Sequence, residues 1–257
     1  MSDIKNKYDK AGYYILKKFL NEKEKNLILG SFKSTVQRYL DIEFNNFLDL
    51  KLHKDLLQLR KFNPKKFSDL YDDLNLNSVL KSIFFKKKYL NLFSKILNTS
   101  VNNIYLNGFM FRMDTPKDKR NSLDWHQDSA YYEMTSPKFN SGVCWISITK
   151  NTKLNGTLQF IPGSHQDGFY HSKKNKSKQN ISEQNRLTIK KKKIKNLNSN
   201  SGDVSFFHIN MIHKSGVNTS KKIRFTIGCR YHDLKKSFNL GKEIYLYKKN
   251  GKKRLFF

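Results

Sequence analysis

The sequence predicts an α+β protein in which helices come first and a β-sandwich or double-sheet jelly roll follows. Three observations predict it. Apolar residues recur with helical spacing up to about residue 98, the period changes to two from about residue 101, and Gly, Asn, Pro and Ser clusters separate the short runs beyond that point. Of the 257 residues, 37% are hydrophobic and 14% aromatic, enough apolar material for a packed core despite 28% charged residues. We read one domain over 1–257, with a mainly helical flank (1–100) and a jelly-roll core (101–232).

In chain order, the apolar run Tyr13 to Leu16 reads as a strand. Asn21 followed by Glu24 resembles a capping box, and Ile28, Phe32, Val36 and Leu40 then recur every fourth residue along one helix face. Leu52, Leu56 and Leu59 predict a second helix, and the stretches Val79 to Phe85 and Tyr89 to Leu97 one or two more, with Asn77 or Ser78 as cap. Strands follow at Tyr105 to Met113, Val143 to Ile148, Thr157 to Ile161, Val204 to Ile209 and Ile223 to Tyr231, all rich in β-branched and aromatic residues. Residues 171–200 interrupt this pattern. Lys173, Lys174, Lys176, Lys178 and Lys190 to Lys193 crowd a Ser- and Asn-rich stretch whose one acid is Glu183. It reads either as a solvated insertion between strands or as a lid that offers positive charge to an anionic substrate. The tail from Lys235 to Phe257 matches no motif.

Fifty Lys and Arg against twenty-one Asp and Glu give a net charge of +29, which raises the possibility of a nucleic-acid or anionic-surface binder. The lysines are spread over almost every segment, however, whereas a nucleic-acid footprint concentrates them on one stripe, so no specific nucleic-acid partner is expected. Cys144 and Cys229 sit in strand-like runs and form no CxxC pair, which suggests neither a disulfide framework nor a thiolate zinc site and fits a reducing, cytoplasmic setting. No run reaches eighteen apolar residues, and Met1 to Tyr14 lacks the apolar core of an export signal, so neither a membrane nor secretion is expected. Oligomeric state is hardly legible, and a monomer or weak homo-oligomer is the expectation.

The sharpest chemical signal is Trp125-His126-Gln127-Asp128. In an extended segment side chains alternate between faces, so His126 and Asp128 point one way and Gln127 the other. His213, just after the run Val204 to Ile209, adds a second imidazole. Two histidines and one carboxylate on one face of an ion leave other positions open, the arrangement expected of non-haem Fe(II) oxygenases. Catalytic zinc stays possible at this point, although there is no HExxH helix and no third His at ligand spacing. Arg224, eleven residues after His213, starts the last apolar strand. A guanidinium there needs an anion, either a bidentately held carboxylate ligand or an internal acid.

These residues, together with Trp145, Asn155-Gly156-Thr157-Leu158, Ile161-Pro162-Gly163-Ser164-His165, Gly202-Asp203 and the run from His213 through Ser220 to Arg224, resemble the phytanoyl-CoA dioxygenase family of Fe(II)/2-oxoglutarate-dependent oxygenases. Gly12 to Leu16 followed by a helix is similar to that family's opening, so the resemblance runs from about residue 8 to 232 and is weakest over 40–100 and 171–200. It implies a double-stranded β-helix (cupin-like) core with N-terminal flanking helices. It also implies that His126, Asp128 and His213 bind Fe(II) and that Arg224 binds the distal carboxylate of 2-oxoglutarate, assisted by Ser215. Trp145 matches an aromatic near the cosubstrate, and reads equally well as a core Trp. His165 reads as structural and His208 as a packed strand residue, while Arg112 either reaches an anionic ligand or faces solvent. An Asp at 128 argues for hydroxylation or another oxidation, because related halogenases lack this carboxylate. The implied reaction oxidises a C–H bond of a small metabolite, consumes O2 and 2-oxoglutarate and releases succinate and CO2; the Lys-rich segment, not the resemblance, points to an anionic substrate. Two rival classes remain: a catalytically inactive jelly roll acting as a basic nucleic-acid or anionic-ligand binding module, and a zinc or other metallohydrolase.

Overall fold

The computed structural model describes residues 2–118, 122–132, 140–170, 172–175, 178–181, 189, 191–236, 245–249 and 252–255. Six helices make up the flank: α1 (Ser2–Ala11), α2 (Glu22–Gln37), α3 (Leu50–Phe62), α4 (Pro64–Leu76), α5 (Ser78–Ser82) and α6 (Lys87–Leu97). The capping box at α2 forms as expected: Asn21 Oδ1 accepts the Glu24 amide, and the Glu24 carboxylate accepts the Asn21 amide. Such a cap contributes about 1 kcal/mol. Asn77, not Ser78, caps α5, its Oδ1 accepting the Leu80 amide at 3.0 Å. Helices α1 and α4 are additions to the predicted set. In α4 the signals are Asn63 as cap, Pro64 in the first turn and a buried stripe of Phe67, Leu70 and Leu74.

The strands are β1 (Tyr13–Leu16), β2 (Ile104–Asp114), β3 (Ser141–Ser147), β4 (Gln159–Phe160), β5 (Ser172–Asn175), β6 (Lys178–Ile181), β7 (Lys195–Asn196), β8 (Val204–His208), β9 (His213–Lys214), β10 (Arg224–Asp233), β11 (Tyr245–Lys249) and β12 (Lys252–Leu255). A five-stranded antiparallel sheet runs β1-β8-β3-β10-β2, and a smaller sheet runs β7-β4-β9. Helices followed by two antiparallel sheets make this the expected α+β jelly roll.

Alternation along the central strands divides the core. Phe225, Ile227, Cys229 and Tyr231 of β10, with Cys144 and Ile146 of β3, join the large apolar cluster that includes Phe32, Leu52 and Phe93 of the helices. Val143 of β3 and Phe207 of β8 point the other way and pack with Phe160 and Met211 between the sheets, with Trp145 against them. By the same period of two, Arg224, Thr226, Gly228, Arg230 and His232 form one row on the inter-sheet face of β10.

The Lys-rich stretch contributes an antiparallel hairpin, β5–β6, in which Lys173 pairs with Asn180 and Lys174 with Gln179. The amide of Ile181 donates to the Trp125 carbonyl at 2.8 Å, and Ile181 and Ile189 are buried with Trp125, Ile161 and Ile212. Lys176, Glu183 and Lys190 lie outside the described residues, as do parts of the tail. Among the described residues no helix is long and apolar enough to cross a membrane.

Candidate active site

His126 and His213 are locked to each other through their backbones. Each donates its amide to the other's carbonyl, at 2.9 and 3.0 Å, an isolated antiparallel bridge that sets the two imidazole centroids 4.1 Å apart. Asp128 opens a 3-10 turn, Asp128–Tyr132, and its Oδ1 lies 3.5 Å from Nε2 of His126 and 3.8 Å from Nε2 of His213. One ligand atom from each of the three buried residues falls within 4.8 Å of the others.

The tautomers are fixed from behind. His126 Nδ1–H donates to the Asp124 carbonyl at 2.7 Å and His213 Nδ1–H to the Met211 carbonyl at 2.9 Å, so both Nε2 atoms present lone pairs to the same point. Burial pushes the His213 pKa down, the nearby His126 adds to the effect, and the value falls to about 4, which keeps the ring neutral. Burial would raise Asp128, but the Arg230 guanidinium outweighs it and holds the carboxyl well below the usual range. Two imidazole nitrogens and an ionised carboxylate converging in a buried place form a donor set for a divalent cation, and they fit Fe(II).

Gln127 faces away, as the extended reading of the segment requires. Its Nε2 donates to the carbonyls of Gly168 (2.9 Å) and Asn210 (2.8 Å), and its Oε1 accepts the Tyr170 amide (2.8 Å). It thereby ties three loops behind the histidines. In the Pro162 to His165 turn, Ser164 Oγ accepts the Ile212 amide at 2.9 Å and steadies the residue before His213. His165 bonds the Asp9 carbonyl and His208 accepts the Asn210 amide, both structural contacts as expected.

Arg224, Ser215 and Trp145 come together in a second pocket, whose other lining residues are Arg112, Asn151, Leu158, Leu197 and Thr226. It encloses about 360 Å³, its open mouth included. Arg224 lies directly opposite Asp114 in the β10–β2 register and donates to its Oδ2 at 2.6 Å, so the internal acid that the sequence left open is present. Asp114 is shared, however: Oδ1 accepts from Arg112 at 2.7 Å. Burial works to raise Asp114, but Arg112 and Arg224 together hold its pKa below the ordinary value, so it stays ionised. Two guanidinium groups against one carboxylate leave one positive charge in excess. Arg224 Nε and Thr226 Oγ1 are buried without a hydrogen-bond partner in this pocket. Unused donors and surplus positive charge fit a carboxylate ligand such as 2-oxoglutarate. Ser215 Oγ accepts the Leu123 amide at 3.1 Å. The Trp145 ring lies over Gly228, where a Cβ would come within 2.7 Å of it, and under the Arg112 guanidinium at 5.7 Å. Arg112 is therefore turned into the pocket instead of facing solvent.

Two residues of the site escape motif reading. Asp114 is recognisable only from the strand register. Arg230, whose Nε donates to Asp128 Oδ2 at 3.1 Å, has a sequence signal, since it lies six residues after Arg224 on the same face of β10.

A jelly roll of two antiparallel sheets holding a His-Asp-His cluster beside a cationic pocket is the architecture of non-haem iron oxygenases. Residues 8–226 match the family model described as Phytanoyl-CoA dioxygenase (PhyH), and the chain belongs to that family, one of Fe(II)/2-oxoglutarate-dependent oxygenases. A "Probable phytanoyl-CoA dioxygenase" of Caenorhabditis elegans is 29% identical over 115 residues, 41% of this chain and 35% of that relative's length. Similar solved structures include the non-haem monooxygenase ThoJ (18% identity, TM-score 0.59, covering 90% of this chain and 77% of that one). EctD from S. alaskensis with bound Fe is also similar in fold (14%, 0.62, 92% and 78%). So is the α-ketoglutarate-dependent epimerase SnoN from nogalamycin biosynthesis (14%, 0.58, 90% and 82%).

Proposed function

We propose that the protein is an Fe(II)/2-oxoglutarate-dependent oxygenase that oxidises a C–H bond of a small anionic metabolite. The observation that carries this reading is the convergence of His126 Nε2, His213 Nε2 and Asp128 Oδ1 within 4.8 Å, with both Nδ1 atoms already committed to backbone carbonyls. His126, Asp128 and His213 are the residues that would hold the iron, and Arg224 the one that would hold the distal carboxylate of 2-oxoglutarate. Bound iron with 2-oxoglutarate and O2 supplies a two-electron oxidation in which R–H becomes R–OH and the cosubstrate leaves as succinate and CO2.

The chain's own contribution is binding and orientation. Asp124 and Met211 fix the ring orientation of the two histidines through their carbonyls. Arg224 Nε and Thr226 Oγ1 offer unused donors to the distal carboxylate, Ser215 and Trp145 border it, and Leu158 and Leu197 form apolar walls against water. The anionic character of the substrate is supported by the Lys-rich β5–β6 hairpin, which is joined to Trp125, the residue before His126, through the Ile181 amide. Turnover confined to neutral or cationic compounds in a metabolite panel would remove that part of the reading.

The site is tested by anaerobic addition of Fe(II) and 2-oxoglutarate to metal-free protein, following the weak visible charge-transfer band of the chelated cosubstrate. The band is expected in the wild type and lost in Asp128→Ala. Failure of both iron and 2-oxoglutarate to bind would leave the family fold with a basic-binding role.

A further inference from the structure

Arg230 is not among the residues proposed to hold iron or 2-oxoglutarate, yet the fold around it is arranged for its guanidinium. Six residues beyond Arg224, it lies in the same inter-sheet row of β10. Its Nε donates to Oδ2 of Asp128 at 3.1 Å, while Oδ1 is the oxygen that faces Nε2 of both histidines. The opposing strand gives way to it. Between Gly228 and Arg230 the register against β2 shifts, so that Gly228 pairs with Met110 and Arg230 with Asn107. Gly108, inside this irregularity, has φ +57°, and a Cβ there would come within 2.6 Å of Arg230 Nη1. A bulge that re-aims a side chain, with a glycine where the guanidinium passes, is a common device beside active sites. Tyr131, in the turn opened by Asp128, covers the guanidinium from its ring face, 5.8 Å from Cζ.

We infer that Arg230 is a positioning residue that holds Oδ2 of Asp128, so that Oδ1 alone is presented to the ion bound by His126 and His213. The inference rests on the iron-site reading above. A carboxylate free to swing can take two positions of a six-coordinate ion. Held by Arg230 it would offer one oxygen only, and three protein ligands would leave the remaining positions to the cosubstrate and O2. Arg230 thus acts on cosubstrate binding through Asp128, without touching the cosubstrate.

The experiment uses Co(II) as a spectroscopic probe in the full chain, with 2-oxoglutarate added anaerobically to the Co(II) protein. Arg230→Met is expected to change the Co(II) ligand-field band and to weaken 2-oxoglutarate binding at least fivefold without weakening Co(II) itself. Arg230→Lys, which keeps the positive charge and protects folding, should fall between the two. In an Asp128→Asn background, Arg230→Met should change 2-oxoglutarate affinity by less than twofold. Unchanged 2-oxoglutarate affinity in Arg230→Met overturns the inference, and so does an equal loss in both backgrounds, because Arg230 would then be acting as a charge in its own right. Failure of wild-type protein to bind Co(II) sinks the metal reading itself, a result distinct from either.

Discussion

The two ends of the site use the same parts to opposite effect. Each pairs a β10 arginine with an aspartate: Arg230 with Asp128 at the histidine end, and Arg224 with Asp114 at the other. At the histidine end the arginine takes one oxygen, and what remains is a surplus of acceptors, namely Asp128 Oδ1 and two imidazole lone pairs. At the other end Arg112 takes the second oxygen of Asp114, and what remains is a surplus of donors and positive charge. An arginine–aspartate pair therefore does not by itself specify what binds. On the function proposed here, the groups added around it suit one pair to a cation and the other to an anion.

Substitutions can break this comparison at either end. The largest effects belong to the proposed ligands: His126→Ala, Asp128→Ala and His213→Ala should abolish turnover and weaken metal binding while the fold persists by circular dichroism. Full activity in any of them refutes its assignment. Arg224→Ala should raise the apparent requirement for 2-oxoglutarate about 10- to 100-fold, the equivalent of a charge-assisted hydrogen bond. An unchanged requirement would reduce Arg224 to the partner of Asp114.

Asp114→Asn tests the charge count. Removing the carboxylate charge that Arg112 and Arg224 share should cost about 3–5 kcal/mol of stability, and saturating 2-oxoglutarate should recover part of the melting temperature. Because Asp114 is held below its unfolded pKa, its stabilisation is present above pH 4 or so and is lost as the pH falls towards the depressed folded value. Asp114→Asn should accordingly flatten the acid side of the stability profile. The smallest effect is expected of Thr226→Val, which removes a hydroxyl that is buried without a partner. Stability should stay level or rise by up to about 1 kcal/mol, and the 2-oxoglutarate requirement should rise about 3- to 10-fold, less than in Arg224→Ala.

How much of this was legible in the sequence follows the range of the interactions. His126 and Asp128 are two residues apart in one extended segment, so their convergence and the opposite facing of Gln127 could be read locally. Helix α2 was equally legible, because its cap and its apolar stripe are both local. Arg224 was legible as a buried cation in need of an anion, but Asp114 was not. The two are partners only because β10 and β2 pair in one particular register across 110 positions. Arg230 could have been found by continuing the alternation from Arg224, but its target depends on a bulge that no local pattern announces. Helix α1 carries little apolar stripe beyond Ile4 and Tyr8, and the β5–β6 hairpin is built from a polar, lysine-rich run with no alternation to betray it.

The contrast between the two ends is tested most directly by titrating Co(II), without cosubstrate, into wild-type protein, Asp128→Ala and Arg224→Ala. The expected result is at least a tenfold loss of affinity in Asp128→Ala and affinity within twofold of wild type in Arg224→Ala. Equal losses in the two variants would contradict the division of the site into a cation-binding and an anion-binding end.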